Sequence, residues 1–498
     1  MFKYKFYKDV FKALIGLCVL LALCKVTAGA IIAVAMPMGV VFAIQRKAGL
    51  LAVCYLMATI LVYVNNAIVP LNGFVVMLSR IGNVVMVAAM MLASMGFTGR
   101  VRERLPIMWL FVYCLIALIS SINGWMPMIS FLKLFQYVLF LVGLIFITRI
   151  MQKSDSDLYI IRCVMMAFAI IFIVGGVIVY FIPSIGFSMQ INSMANYGYF
   201  TTGDELVASD SMLLFNGMTA HSQMLAPVTA TLCAWVLCDM ILVERRMTLL
   251  HGLLIVISPG LIYLSRSRGG LLELASIFLV AILVCLPRAR LAAAIKGRFS
   301  LWMMLGGLVL LVVAGVAEVK SNAISRWIRK SDDVSADRRT LGQAFTESRL
   351  GALEMNLRDF RLNPLFGKGF QVIQGMDQLY RSGRVTLFSA PVEKGVTPYV
   401  VLGETGVCGA VIFVIFLFSF YATCLKRRYL ALLTMFTCMM VANLADSTFF
   451  SPGGGGFFWI TSCVGGMGID FITIRKAHGV WTGPDGRPEL LPGPMLFA

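Results

Sequence analysis

Charge is scarce in this chain. Only 13% of its 498 residues are Asp, Glu, Lys or Arg, against 59% hydrophobic residues and a mean hydropathy of +0.88. Too little polar surface remains to face water, so a soluble fold is excluded and a polytopic membrane protein is predicted. Histidine is scarcer still, with three copies at 221, 251 and 478, which argues against a metal site built on imidazole. The twelve cysteines all lie in or beside apolar stretches, and no C-x-x-C pair occurs. They read as small buried side chains, with neither a disulfide framework nor a zinc site. Acidic residues number 24 against 42 basic ones, a formal charge of +18. In a soluble protein that excess points to nucleic acid; here each cation must first be sorted by membrane side, and no nucleic-acid partner is expected. Lys368 follows a glycine, but position 362, where a P-loop needs a second glycine, is Leu362.

What the chain has in abundance is apolar runs. They fall at about 11–26, 28–44, 48–68, 74–96, 106–122, 128–149 and 158–182, then 218–242, 247–264, 270–286 and 300–317, and finally 396–424, 429–446 and 456–474. A span needs ~20 residues at ~1.5 Å each to cross ~30 Å of hydrocarbon. The first two runs are short and suit a tight pair or a bent re-entrant element. Ala28-Gly29-Ala30 resembles a signal-peptidase site, but another apolar run follows at once, so a retained first helix is expected. Lys3, Lys5, Lys8 and Lys12 place the N-terminus on the cytoplasmic side. The basic turns at Arg46-Lys47, Arg100 to Arg104, Arg149/Lys153, Arg245-Arg246, Arg288 to Arg298, Lys426 to Arg428 and Arg475-Lys476 then all fall on that side, as the positive-inside rule requires. Both termini are cytoplasmic in this reading, and the 183–217 and 318–395 segments face out. The chain divides into an N-terminal bundle (1–317), a large extracytoplasmic loop (318–395), C-terminal transmembrane helices (396–474) and a Pro/Gly-rich tail (475–498) whose composition suits disorder.

The exceptions to the charge rule carry information. Arg266 and Arg268 sit in a short outer turn, and Arg80 and Lys133 lie within apolar runs near their outer ends. A cation at a helix centre costs ~2.5–3.5 kcal/mol on insertion scales, so it is retained when it snorkels, pairs or serves a site. For Arg80 and Lys133 snorkelling to the interface and a site role both remain open. The outer loop holds thirteen Lys/Arg against nine Asp/Glu. Its centre reads as an amphipathic helix: Leu350, Leu353, Leu357 and Phe360 form an apolar stripe, and Glu347, Glu354, Arg358 and Arg361 a charged one. Asn363-Pro364 ends it. Gly367 and Gly369 then give a tight turn that lets the backbone approach another surface closely.

The stretch SRLGALEMNLRDFRLNPLFGKGF, from Ser348 to Phe370, resembles the signature of the O-antigen ligase and O-antigen polymerase family. The resemblance extends to Ser265 through Gly270 upstream and Gly403-Glu404-Thr405-Gly406 downstream, covering roughly the C-terminal half. It implies an all-α polytopic integral membrane protein of about 12–14 transmembrane helices, with one large, partly helical extracytoplasmic loop, of the GT-C type. It also implies inverting, metal-independent glycosyl transfer with no cofactor. The donor would be an undecaprenyl-diphosphate-linked oligosaccharide and the acceptor a glycan or lipid-linked sugar, at the outer face of a bacterial inner membrane. The residues agree: a cluster of outer cations above an apolar bundle suits an anionic headgroup on a lipid chain, since arginine's planar fork matches phosphate oxygens.

In this reading Arg266, Arg268 and Arg349 stabilise the charge growing on the leaving diphosphate. Arg80, Lys133, Lys368 and His221 are further candidates for donor or glycan binding. His221 equally suits a helix cap, and Glu404 suits orienting a loop arginine. Ligases of the family show a His-Asn-type motif where this chain reads Pro391 to Thr397, and the loop has no histidine. Glu393 is then the nearest base by position, or it simply pairs with Lys394. Ligase and polymerase are not distinguished, nor is the oligomeric state. Two other classes stand beside the enzyme: a polysaccharide transporter or lipid-linked glycan flippase, and a non-catalytic assembly subunit.

Overall fold

In the computed structural model, residues 2–27, 32–45, 47–60, 64, 81–82, 84–92, 105–152, 154–182, 189–192, 212–219, 222–265, 267–281, 353–372, 374, 395–444, 449–450 and 456–477 are described. Among them the protein is nearly all helical. In chain order the helices are α1 (Phe2–Val26), α2 (Ile32–Ile44), α3 (Ala48–Ile60), α4 (Met108–Ile122), α5 (Pro127–Met151) and α6 (Asp155–Phe181). Then come α7 (Ser222–Cys238), α8 (Leu249–Leu264), α9 (Arg268–Val280), the short α10 (353–362), α11 (Thr397–Arg427), α12 (Leu430–Ala442) and α13 (Gly456–Ala477). Five helices, at Pro127–Met151, Asp155–Phe181, Met224–Glu244, Thr397–Arg427 and Gly456–Ala477, are long and apolar enough to cross a membrane. The shortest, at 21 residues, still spans ~30 Å. This is an all-helical, multi-pass membrane architecture with one departure. The 183–217 segment, expected to be loop, carries an antiparallel strand pair, β1 (Met189–Asn192) and β2 (Met212–Phe215), with Met189 opposite Phe215.

Local chemistry sets the element ends. Ser267 begins α9, its side chain accepting from the Gly270 N–H at 3.2 Å, and Thr248 caps α8 in the same way through His251 N. The start of α12 is capped from another helix. The buried Asp470 carboxylate of α13 accepts from Ala431 N at 2.9 Å and Leu432 N at 3.0 Å, supplying negative charge where a helix presents free N–H groups. Two helices contain π-helical turns, Asp239–Glu244 at the end of α7 and Thr461–Gly466 within α13. The expected spans at 106–122, 128–149, 158–182, 218–242, 247–264, 396–424 and 456–474 match α4 to α8, α11 and α13 to within a few residues. The run at 300–317 lies outside the described residues.

Lipid tails are as apolar as leucine, so burial of apolar surface does not drive these helices together; close packing and internal polar contacts do. One packed cluster is aromatic. Phe413, Phe416 and Phe420 of α11 run along one face toward Phe436 of α12, and Phe449, Phe450 and Trp459 close the cluster. Trp459 Nε1 donates to the Phe449 carbonyl at 2.9 Å. The largest interface of this part pairs α11 with α4, and the glycine turn docks beside it.

Candidate functional site

The turn that follows α10 is built by three residue types. Asn363 closes it, its side chain accepting from Phe366 N at 3.3 Å and its carbonyl from Gly367 N at 2.8 Å. Pro364 prevents α10 from continuing. Gly367 and Gly369 take φ of +71° and +109°, which side chains disfavour. The turn lies directly on α11 where that helix breaks. Gly406 there has φ +63° and ψ −162°, a conformation open essentially to glycine alone. The break frees backbone groups that the turn satisfies: Val407 N donates to Pro364 O at 2.8 Å and Cys408 N to Leu365 O at 3.2 Å. In return Lys368 N donates to Gly403 O at 2.9 Å and Gly369 N to Glu404 O at 3.2 Å. A methyl on Gly367 would land on the Glu404 carbonyl, and one on Gly406 on that of Leu365.

The other wall is the α4–α5 hairpin. The Ser120 hydroxyl donates to the Glu404 carbonyl and accepts from Gly369 N at 3.0 Å. Ser121 and Ser130 lie 2.6 Å apart, and Ser130 donates to Phe370 O at 2.9 Å. Lys133, one turn further along α5, is 3% exposed and donates to Gln371 O at 3.1 Å. Gln371 itself has a φ of +55° and reaches the Phe450 carbonyl through its side-chain amide. At the hairpin tip Trp125 N donates to Lys368 O at 3.0 Å, and Trp125 Nε1 to Asp359 Oδ1 of α10 at 3.3 Å. The Lys368 ammonium stands 5.2 Å from the centre of the Trp125 ring.

Three of the residues expected from the sequence therefore gather on one segment: Lys368 within the turn, Glu404 beneath it and Lys133 beside its end. Lys133 is corrected in one respect. It does not snorkel; its ammonium turns inward onto a main-chain carbonyl, which offsets part of the cost of burying it. The amphipathic helix is corrected as well. Leu353, Leu357 and Phe360 are only half-buried, whereas Asn356 and Asp359 are the buried positions. Gly403 makes room for Asn356: a methyl at 403 would stand only 3.0 Å from the Asn356 main-chain and side-chain oxygens. Of the charged strip, Glu354, Arg358 and Arg361 are exposed, as expected; Glu347, and Leu350 of the apolar stripe, lie outside the described residues. Arg268 starts α9, which packs on α7 and α12. Arg80, His221, Arg266, Arg349 and Glu393 lie outside the described residues.

Two sets of residues went unread in the sequence. The serines 120, 121 and 130 are one; a polar pair inside an apolar helix was the available signal, since such residues turn inward. The other is a buried charge cluster at the opposite end of the bundle. Arg162 of α6 grips Asp239 through Nε at 2.6 Å and Nη2 at 3.0 Å, and reaches Glu244 at 2.5 Å. His251 of α8 brings Nε2 within 3.2 Å of Asp239 and Nδ1 within 2.6 Å of Thr248. Phe6 of α1 lies flat under the guanidinium at 4.1 Å. No family model matches the chain, and no curated protein matches it significantly.

Proposed function

We propose that this protein is a membrane glycosyltransferase of the O-antigen ligase/polymerase type. It transfers a glycan from a polyprenyl-diphosphate carrier to a glycan or lipid-linked acceptor at the outer face of a bacterial cytoplasmic membrane. The observation that carries this reading is the docking of the 363–371 turn on Gly403 to Cys408. Two of the stretches that bear the resemblance are separate in sequence, and they meet main chain to main chain. Glycines stand at the positions where any side chain would block that approach. A half-exposed lysine and a tryptophan occupy the edge of the contact. Tryptophan favours the membrane–water interface, the level at which a lipid diphosphate resides.

In this reading the helices number about 12–14 in a GT-C-like bundle, with both termini cytoplasmic and the 318–395 loop outside. The acceptor oxygen attacks the anomeric carbon, the bond to the diphosphate breaks, and its electron pair leaves with the phosphate oxygen. Arg266, Arg268, Arg349 and Lys368 stabilise that charge. Glu393 takes the acceptor proton. The Arg162–Asp239–Glu244–His251 cluster favours a second reading, a lipid-linked glycan flippase, because ionisable residues inside spans mark transport pathways. Its place near helix ends rather than midway weighs against that.

Reconstitution with a lipid-linked oligosaccharide separates the two. A new glycosidic product supports the transferase; relocation of the lipid without product supports the flippase. Arg266→Ala and Arg349→Ala are each expected to abolish or nearly abolish transfer while the protein still folds. Near-wild-type turnover in both would remove the proposed diphosphate site.

A further inference from the structure

We infer that Lys368 and Trp125 form an anion-binding corner of this site: the Lys368 ammonium takes the diphosphate of the lipid-linked donor, and Trp125, tethered by Asp359, aims it. The inference rests on the transferase reading and names the recognition element within it.

Lys368 is unusual in how little freedom its main chain retains. Its N–H is held by Gly403 O at 2.9 Å and its carbonyl by Trp125 N at 3.0 Å. Positive-φ glycines flank it on both sides. One residue thus joins α11, the α4–α5 hairpin and the turn. Such anchoring suits an ammonium that must be presented at a fixed place, because only the side-chain torsions remain to be ordered.

Trp125 narrows those torsions further. Its indole N–H is engaged by Asp359, a residue 4% exposed, so the ring plane is fixed from the α10 side. The lysine ammonium lies over that ring at 5.2 Å, within reach of the ring's negative face. The ring attracts the charge from one side and does not use up its three N–H donors. Lys368 is half-buried and forms no ion pair among the described residues. A cation held in place and lacking a carboxylate partner is suited to a phosphate; lysine binds that group as a point charge.

The test uses the full-length protein in lipid nanodiscs. Binding of undecaprenyl diphosphate is measured beside binding of inorganic pyrophosphate, with melting temperature recorded for every variant. Lys368→Met keeps the stem and removes the charge. It is expected to weaken undecaprenyl diphosphate binding by about 10- to 150-fold, the equivalent of one charge-assisted hydrogen bond, with Lys368→Arg within a few-fold of wild type. Trp125→Phe keeps a ring but loses the Asp359 tether, so its affinity falls between wild type and Lys368→Met, whereas Trp125→Leu approaches Lys368→Met. That order separates aiming from packing, since loss of packing alone lowers melting temperature without distinguishing charge or ring. Pyrophosphate binding at comparable affinity overturns the assignment to a lipid-borne headgroup. Wild-type affinity in Lys368→Met, or in Trp125→Leu, overturns the inference and leaves the transferase reading standing. Absence of both binding and glycosidic product in the wild type overturns the two together.

Discussion

Single glycines decide whether the candidate site can form. At Gly367 and Gly406 a side chain meets two penalties at once: a sparsely populated backbone region costing ~1–3 kcal/mol for an L-residue, and collision with a facing carbonyl that is itself main chain. Gly367→Ala and Gly406→Ala are therefore expected to destabilise the protein by a few kcal/mol (~2–4), seen as a lower melting temperature in detergent. Gly16→Ala is the control. Nothing stands within 4 Å of a methyl there, and in a helix that change is worth at most ~1 kcal/mol, in the stabilising direction. If Gly367→Ala melted like Gly16→Ala, the turn would not be seated as described. The need for glycine at 367 and 369 was legible, because Asn-Pro followed by spaced glycines is turn chemistry. What lay opposite was not. Gly406 stood out in sequence only through the resemblance of the Gly403 to Gly406 stretch, and the partner carbonyl of Leu365 gives its physical reason. Lys133 shows the same limit: snorkelling and inward pairing leave identical sequence, and the carbonyl of Gln371 that separates them is more than two hundred positions away.

Elements were legible where hydropathy alone defines them, and polar junctions between them were not. The long spans follow from apolar length, which the membrane imposes on each segment independently. The ion cluster depends on three elements meeting: α6, the end of α7 and α8. Arg162, Asp239, Glu244 and His251 each look like a tolerated charge near a helix end, and no spacing rule joins them. Their mutual geometry makes a direct expectation. Arg162→Ala leaves two carboxylates facing a buried space without their cation, a loss of ~3–5 kcal/mol for a broken buried pair. Asp239→Asn keeps the shape and removes the charge that both Arg162 and His251 approach. Combined, the two changes should fall short of their sum by ~0.5–3 kcal/mol, because they remove one shared interaction. Additive losses, measured by denaturant titration in micelles, would mean that Arg162 and Asp239 act separately. Asp470→Asn is expected to be milder. Ala431 N and Leu432 N each use a different carboxylate oxygen, so the amide keeps an acceptor for one of them and turns an NH2 group toward the other, a loss of about 1–3 kcal/mol.

At the scale of the molecule, the two polar assemblies lie at opposite ends of the same helices. α6 carries Arg162 near its start, and α5, which precedes it, carries Ser130 and Lys133 near the opposite end of the pair. Arg149, Arg245, Arg246 and Lys426 to Arg428 lie at the helix ends on the Arg162 side, the end that the positive-inside rule would make cytoplasmic. The proposed function requires the glycine turn, Trp125 and Lys368 at the other end to face the extracytoplasmic side. A reporter active only outside the cytoplasm should therefore work when fused near Ser335 or Gln374, and fail when fused near Arg427 or after Lys476. The fusion at 374 is the sharpest, since Gln371 is tied to Phe450 and the Phe370 carbonyl to Ser130, so that side of the turn is fixed to the bundle. A cytoplasmic signal from that fusion would put Lys368 on the side of the membrane where no outward-facing acceptor exists, and the transferase reading would fall with the topology.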